Sequence, residues 1–178
     1  MKLKLLLPIL FVVYSCSQDT SIDRNDLIEK AGAPLLKGLG SHSFTISSKV
    51  EGVQDYFNQG LIMAFAFNHA ESIRSFKAAQ KLDPNCAICF WGEALALGPN
   101  INVTSDGKAI MSPQERLDAF ERTNKAMALI EFASQKEKDF ILTLKSRYNG
   151  DVNSSRVPLD IAYAKAMAEL SSKYPDDT

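Results

Sequence analysis

The sequence predicts an all-α fold built from antiparallel helix pairs. Three observations carry this. A hydroxyl or Asn followed three residues later by Glu recurs four times, at Ser48–Glu51, Asn68–Glu71, Ser112–Glu115 and Ser134–Glu137. Each is a capping box, in which two side chains satisfy the free amides that open a helix. Apolar residues then recur at helical spacing, as in Ile73, Phe76, Ala79 and Leu82. Helix-stopping pairs, Asp83-Pro84 and Gly98-Pro99, separate the periodic segments. No segment of comparable quality reads as a strand.

The chain of 178 residues is 46% hydrophobic and 23% charged, enough for one domain with a core. Its net charge is -1, from 20 basic and 21 acidic residues, so it carries no electrostatic footprint for nucleic acid. Residues 1–16 read as a targeting segment: Lys2 and Lys4 are followed by an apolar run from Leu5 to Tyr14. That run ends in Val13-Tyr14-Ser15-Cys16, which resembles the lipobox of bacterial lipoproteins. The resemblance implies that Cys16 is lipidated and holds the protein on a membrane of the bacterial cell envelope, facing the periplasm or the surface. Residues 17–47 are expected to form a polar tether and then an extended N-terminal strap. In the strap, Phe44 and Ile46 alternate with small polar residues, and it is expected to lie on the first helix pair.

Residues 48–178 are expected to form the helical repeats. Helix one is predicted over 49–67, opened by the Ser48 box. Helix two follows over 69–82, capped by Asn68, and helix three over 86–97, capped by Asn85. Residues 100–111 form a loop longer than bundle helices ordinarily need. Helix four spans 113–130 with Pro113 at its first position, where proline is well tolerated. Helix five spans 135–148. Helix six spans 158–173, with Ile161, Ala164, Met167 or Ala168, and Leu170 facing inward.

The spacing within 53–97 resembles the tetratricopeptide repeat. Gly60, Ser72 and Ala79 stand where that repeat carries small residues. Met63 and Phe76 stand where it carries large ones, and Pro84 where it favours proline. The resemblance is looser beyond residue 97, where the loop is inserted. It implies helix pairs stacked as an α-solenoid. The stretches Gly40–Ser48, Gln54–Leu61, Phe67–Phe76 and Leu82–Asn102 also resemble a group of large bacterial tetratricopeptide-repeat proteins. Members of that group are longer than this chain. These residues are therefore expected to be the front part of a longer array, with an apolar patch left open around Ala166, Met167 and Leu170.

The candidate site residues fall in three places. Cys86 and Cys89 stand on the first turn of helix three, where free amides and the helix dipole favour a thiolate. Three readings are open for them: a disulfide, two buried thiols, or a redox or metal pair. Phe90 excludes c-type haem attachment, which needs His after the second Cys. His69 opens helix two and Cys86 follows its end, so helix rise alone separates them by roughly 20 Å, too far to share a metal within one subunit. Repeat geometry places Phe57, Leu61, Phe65 and Trp91 along a candidate apolar groove. Asn100, Asn102 and Asp106 make the inserted loop a third candidate.

No catalytic set, metal site or cofactor motif is read. With two His in the chain there is little for general-base chemistry. The expected function is a lipid-anchored helical-repeat scaffold that binds a peptide or protein partner in the envelope. The alternatives are a redox or metal-binding protein using Cys86 and Cys89, or the non-catalytic front part of a longer enzyme.

Overall fold

The computed structural model describes residues 23–99 and 111–176. Among these residues the fold is all-helical and contains no strand. The helices are α1 (Arg24–Ala31), α2 (Val53–Phe65), α3 (His69–Leu82), α4 (Ala87–Leu97), α5 (Pro113–Ala128), α6 (Gln135–Lys145) and α7 (Val157–Lys173), with a short 3-10 turn at Ile130–Phe132.

The later capping boxes form as read. Ser112 and Ser134 accept from the amides of Glu115 and Glu137, whose carboxylates accept in return from the amides of Ser112 and Ser134. Asn68 caps α3 by accepting from the Glu71 amide. The first box does not form. Helix α2 opens at Val53, behind Gly52 in the left-handed region at φ 81. A Cβ at Gly52 would lie 2.5 Å from Leu27, so α1 packs against the bare backbone there. Ser48 is turned elsewhere and donates to Asp83 at 2.6 Å. Asn85 does not cap α4: the N-cap is Cys86, and no side chain bonds there. Helix α6 ends at Lys145, three residues earlier than periodicity suggests.

Each helix packs on the next in the chain, from α2 through α7, with second-neighbour contacts α2–α4 and α4–α6. Helix α4 is the centre. Its residues from Ala87 to Ala96 are buried apart from half-buried Leu95. A helix apolar all round must lie inside. It approaches α3 closely because Phe76, fully buried, lies against two glycines. A Cβ at Gly60 of α2 would meet the Phe76 ring at 2.8 Å, and one at Gly92 of α4 would come closer still. Polar ties cross the same seams. Ser72 donates to the Gly60 carbonyl at 2.6 Å. Gln80 donates to Glu93 at 2.8 Å and to the Cys89 carbonyl at 3.2 Å.

Helix α7 presents a different face from the one expected. Leu170 is buried and Ala166 and Met167 are half-buried. Ile161 is 66% exposed and Val157 64% exposed. The exposed apolar surface therefore lies at the start of α7 and not around Ala166. Tyr163 of this helix is partly buried and packs against the core.

Two outcomes follow. Gly92→Ala forces its methyl into the Phe76 ring, and overpacking of this kind costs about 1–3 kcal/mol, read as a lower urea midpoint at unchanged slope. Tyr148, buried behind α6, donates to the Ala94 carbonyl at 2.8 Å. Burial pushes its pKa up to about 12, against the lowering influence of Arg147 and Arg156. The unfolded chain releases this proton near pH 10. Between pH 10 and 12 the native state therefore holds more protons than the unfolded one, and stability falls as pH rises, by about 3 kcal/mol in total. Tyr148→Phe should flatten that alkaline limb in a series of urea titrations.

Candidate functional site

The face of α2 that carries Gln54, Asn58 and Gln59 holds a length of chain. Residues 33–47 contain no helix, and their backbone bonds to these three side chains. The Leu36 amide donates to Gln59 at 2.7 Å, the Phe44 amide to Asn58 at 3.2 Å and the Ile46 amide to Gln54 at 3.0 Å. In return Gln54 donates to the Phe44 carbonyl at 2.8 Å and Gln59 to the Pro34 carbonyl at 3.0 Å. Side-chain amides can do this because each offers both a donor and an acceptor. Tyr56, fully buried, adds a bond from its hydroxyl to the Ala33 carbonyl at 2.6 Å. Burial raises the Tyr56 pKa, so the phenol is held as a donor.

Phe44 and Ile46 are the apolar anchors of this segment. Phe44 enters an aromatic socket, with its ring 5.8 Å from Phe57 and 5.2 Å, edge-on, from Phe140 of α6. Trp91 closes the socket, stacked 6.5 Å from Phe57 and edge-on at 5.6 Å from Phe140. Lys136 lies 4.5 Å above the Phe44 ring, a cation–π contact. Burying side chains of this size contributes about 1.5–3 kcal/mol each.

The segment ends on Glu137, a carboxylate at 1% exposure that faces no cation in the contacts observed. It accepts from the Ser47 amide at 2.9 Å, from the Ser47 hydroxyl, and from the Ser134 amide at 2.6 Å. A carboxylate with amide donors can sit buried without a counter-ion because the donors replace its water.

Three of the four candidate groove residues are therefore not surface. Phe57, Leu61 and Trp91 are buried, with Phe44 packed against Phe57 and Phe140 of α6 against Trp91. Phe65 is separate from them, 72% exposed at the far end of α2. The residues that the sequence reading missed are Gln54, Asn58, Gln59 and Glu137. The signal for the first three was side-chain amides four and five apart on a largely apolar helix. Glu137 was read only as a cap.

Cys86 and Cys89 are joined as a disulfide, with their Cα atoms 5.3 Å apart. In this form neither sulfur offers a thiolate to a metal. Cys89 is fully buried and Cys86 is 5% exposed. Cys86 lines a pocket of about 240 Å³ together with Ser48, Asp83, Asn85, Phe132 and Glu137. His69 stands apart at the start of α3, its ring 6.4 Å from Phe67, which holds a left-handed φ of 60. Both His69 ring nitrogens are buried and have no hydrogen-bond partner among the described residues. His42 is exposed, on the rim of an open depression beside Arg24 and Asn58. No cluster of three metal-ligating side chains occurs among the described residues. No helix among them is long and apolar enough to cross a membrane. Cys16 and the loop residues Asn100, Asn102 and Asp106 lie outside the described residues.

Glu137→Ala should cost about 1–3 kcal/mol, because it removes the acceptor of the half-buried Ser47 amide and hydroxyl and the shorter of the two acceptors of the Ser134 amide. Its mark is local as well as global: hydrogen exchange at the Ser47 and Ser134 amides should speed up more than at α3 amides. Equal acceleration everywhere would show that Glu137 does not clamp the segment.

No family model, curated protein or solved structure matches the chain.

Proposed function

We propose that the chain is a lipid-anchored helical-repeat scaffold that binds a peptide or protein partner in the bacterial cell envelope. Its helices are read as a tetratricopeptide-like α-solenoid, with residues 33–47 as an N-terminal strap across the face of α2. The order of packing supports this: from α2 to α7 each helix contacts its neighbours in sequence, and α4 also touches the alternate helices α2 and α6. The lipid anchor rests on the lipobox-like stretch ending at Cys16.

One observation carries the binding reading. The face of α2 already holds an extended backbone, through both amides and carbonyls, with an aromatic residue seated in a socket. That is the chemistry of peptide recognition: main-chain bonds supply affinity and a side-chain pocket supplies selectivity. Here the chain's own strap is the occupant. A partner peptide would compete with it, and its bound form would present an aromatic and an aliphatic residue two apart, as Phe44 and Ile46 are.

The test supplies the strap in trans. A labelled peptide of residues 40–48 is titrated into the wild type and into the Phe44→Ala, Ile46→Ala double variant. Fluorescence anisotropy should show at least tenfold tighter binding to the double variant, whose own strap is weakened. If the peptide binds neither protein while circular dichroism shows the double variant folded, the face is a packed interior and the reading fails.

A further inference from the structure

We infer that the Cys86–Cys89 disulfide is a thiol–disulfide exchange site, attacked at Cys86, whose substrates are neutral or cationic dithiols. This rests on the disulfide and its pocket, and not on the peptide-binding reading.

The loop closed by this bond is a single helical turn, from Cys86 to Cys89. Constraint of the unfolded chain grows with loop length, so a bond this short contributes little as a cross-link. Its position suits chemistry better. Cys86 is the N-cap of the 11-residue helix α4, and no side chain caps that end. A thiolate released at Cys86 would lie against first-turn amides and the positive end of the helix dipole, both of which favour it. The two cysteines also differ in their surroundings. Cys86 lines the pocket beside Asp83 and Glu137, whereas Cys89 is fully buried and is not part of the pocket wall.

The exchange runs in two steps. A thiolate of the substrate dithiol attacks the Cys86 sulfur. The Cys86–Cys89 bond breaks, and its electron pair goes to the Cys89 sulfur, which takes a proton. A mixed disulfide now joins Cys86 to the substrate. The substrate's second thiolate then attacks its own bonded sulfur and expels the Cys86 thiolate, which is protonated in turn. Two electrons and two protons have passed from the substrate dithiol to Cys86 and Cys89, and the substrate leaves as a disulfide. A disulfide of another molecule restores the bond by the reverse sequence.

The pocket also selects by charge. Asp83 and Glu137 both line it. Their hydrogen bonds go to Ser48, Asn85, Ser47 and Ser134, with no cation among these partners. An anionic thiol entering here meets two carboxylates, whereas a thiol carried beside a basic group is attracted.

The test uses the intact oxidised protein and three monothiols: cysteamine, 2-mercaptoethanol and mercaptoacetate. Reactions are quenched in acid, then unfolded, alkylated and mapped by mass spectrometry. The adduct should sit on Cys86 with Cys89 alkylated, and it should form at least tenfold faster than the protein unfolds. Rates corrected for thiolate fraction should fall by about threefold per unit of charge, from cysteamine to mercaptoacetate, at low salt. Asp83→Asn should narrow that spread. An adduct on Cys89, or reduction no faster than global unfolding, overturns the site. Equal rates for the three thiols, or the reverse order, overturn the charge preference.

Discussion

The whole arrangement depends on one close approach, the Phe76 ring of α3 laid against Gly60 of α2 and Gly92 of α4. A ring can fill the space between three helices only if two of them offer bare backbone. Once Phe76 is seated, α4 is drawn into the centre and every one of its faces needs a cover. Helices α3, α5 and α6 supply three of them. The aromatic side of the interior, where Phe57 and Trp91 stack, is closed by Phe44 from the segment before α2 and Phe140 from α6. Residues 33–47 thus share the aromatic packing that joins α2, α4 and α6.

Much of the helical framework was legible because its signals are local. Ser112–Glu115 and Ser134–Glu137 each place a helix start by themselves, and the structure opens α5 and α6 there. The first box misled because a tertiary contact overrode it. Leu27 packs where a Cβ of Gly52 would be, so the chain turns left-handed and the helix begins after it. Nothing between Ser48 and Glu51 could reveal that, since Leu27 lies on another helix.

The candidate site was less legible for the same reason. The sequence reads Phe57, Leu61, Phe65 and Trp91 as one apolar groove, whereas the structure buries three of them and leaves Phe65 exposed. Whether such a face is open or covered depends on partners far away in sequence, here Phe44 and Phe140, and periodicity carries no record of them. Glu137 shows the limit from the other side. Its role as a cap follows from Ser134 three residues before it. Its hold on Ser47 spans 90 residues and needs the folded chain to be seen.

The segment 33–47 and the disulfide meet at one place. Ser47, at the end of that segment, and Ser48, just after it, line the same pocket as Cys86. Ser47 is fixed by Glu137 and Ser48 by Asp83, so the two carboxylates that give the pocket its charge also hold one of its walls.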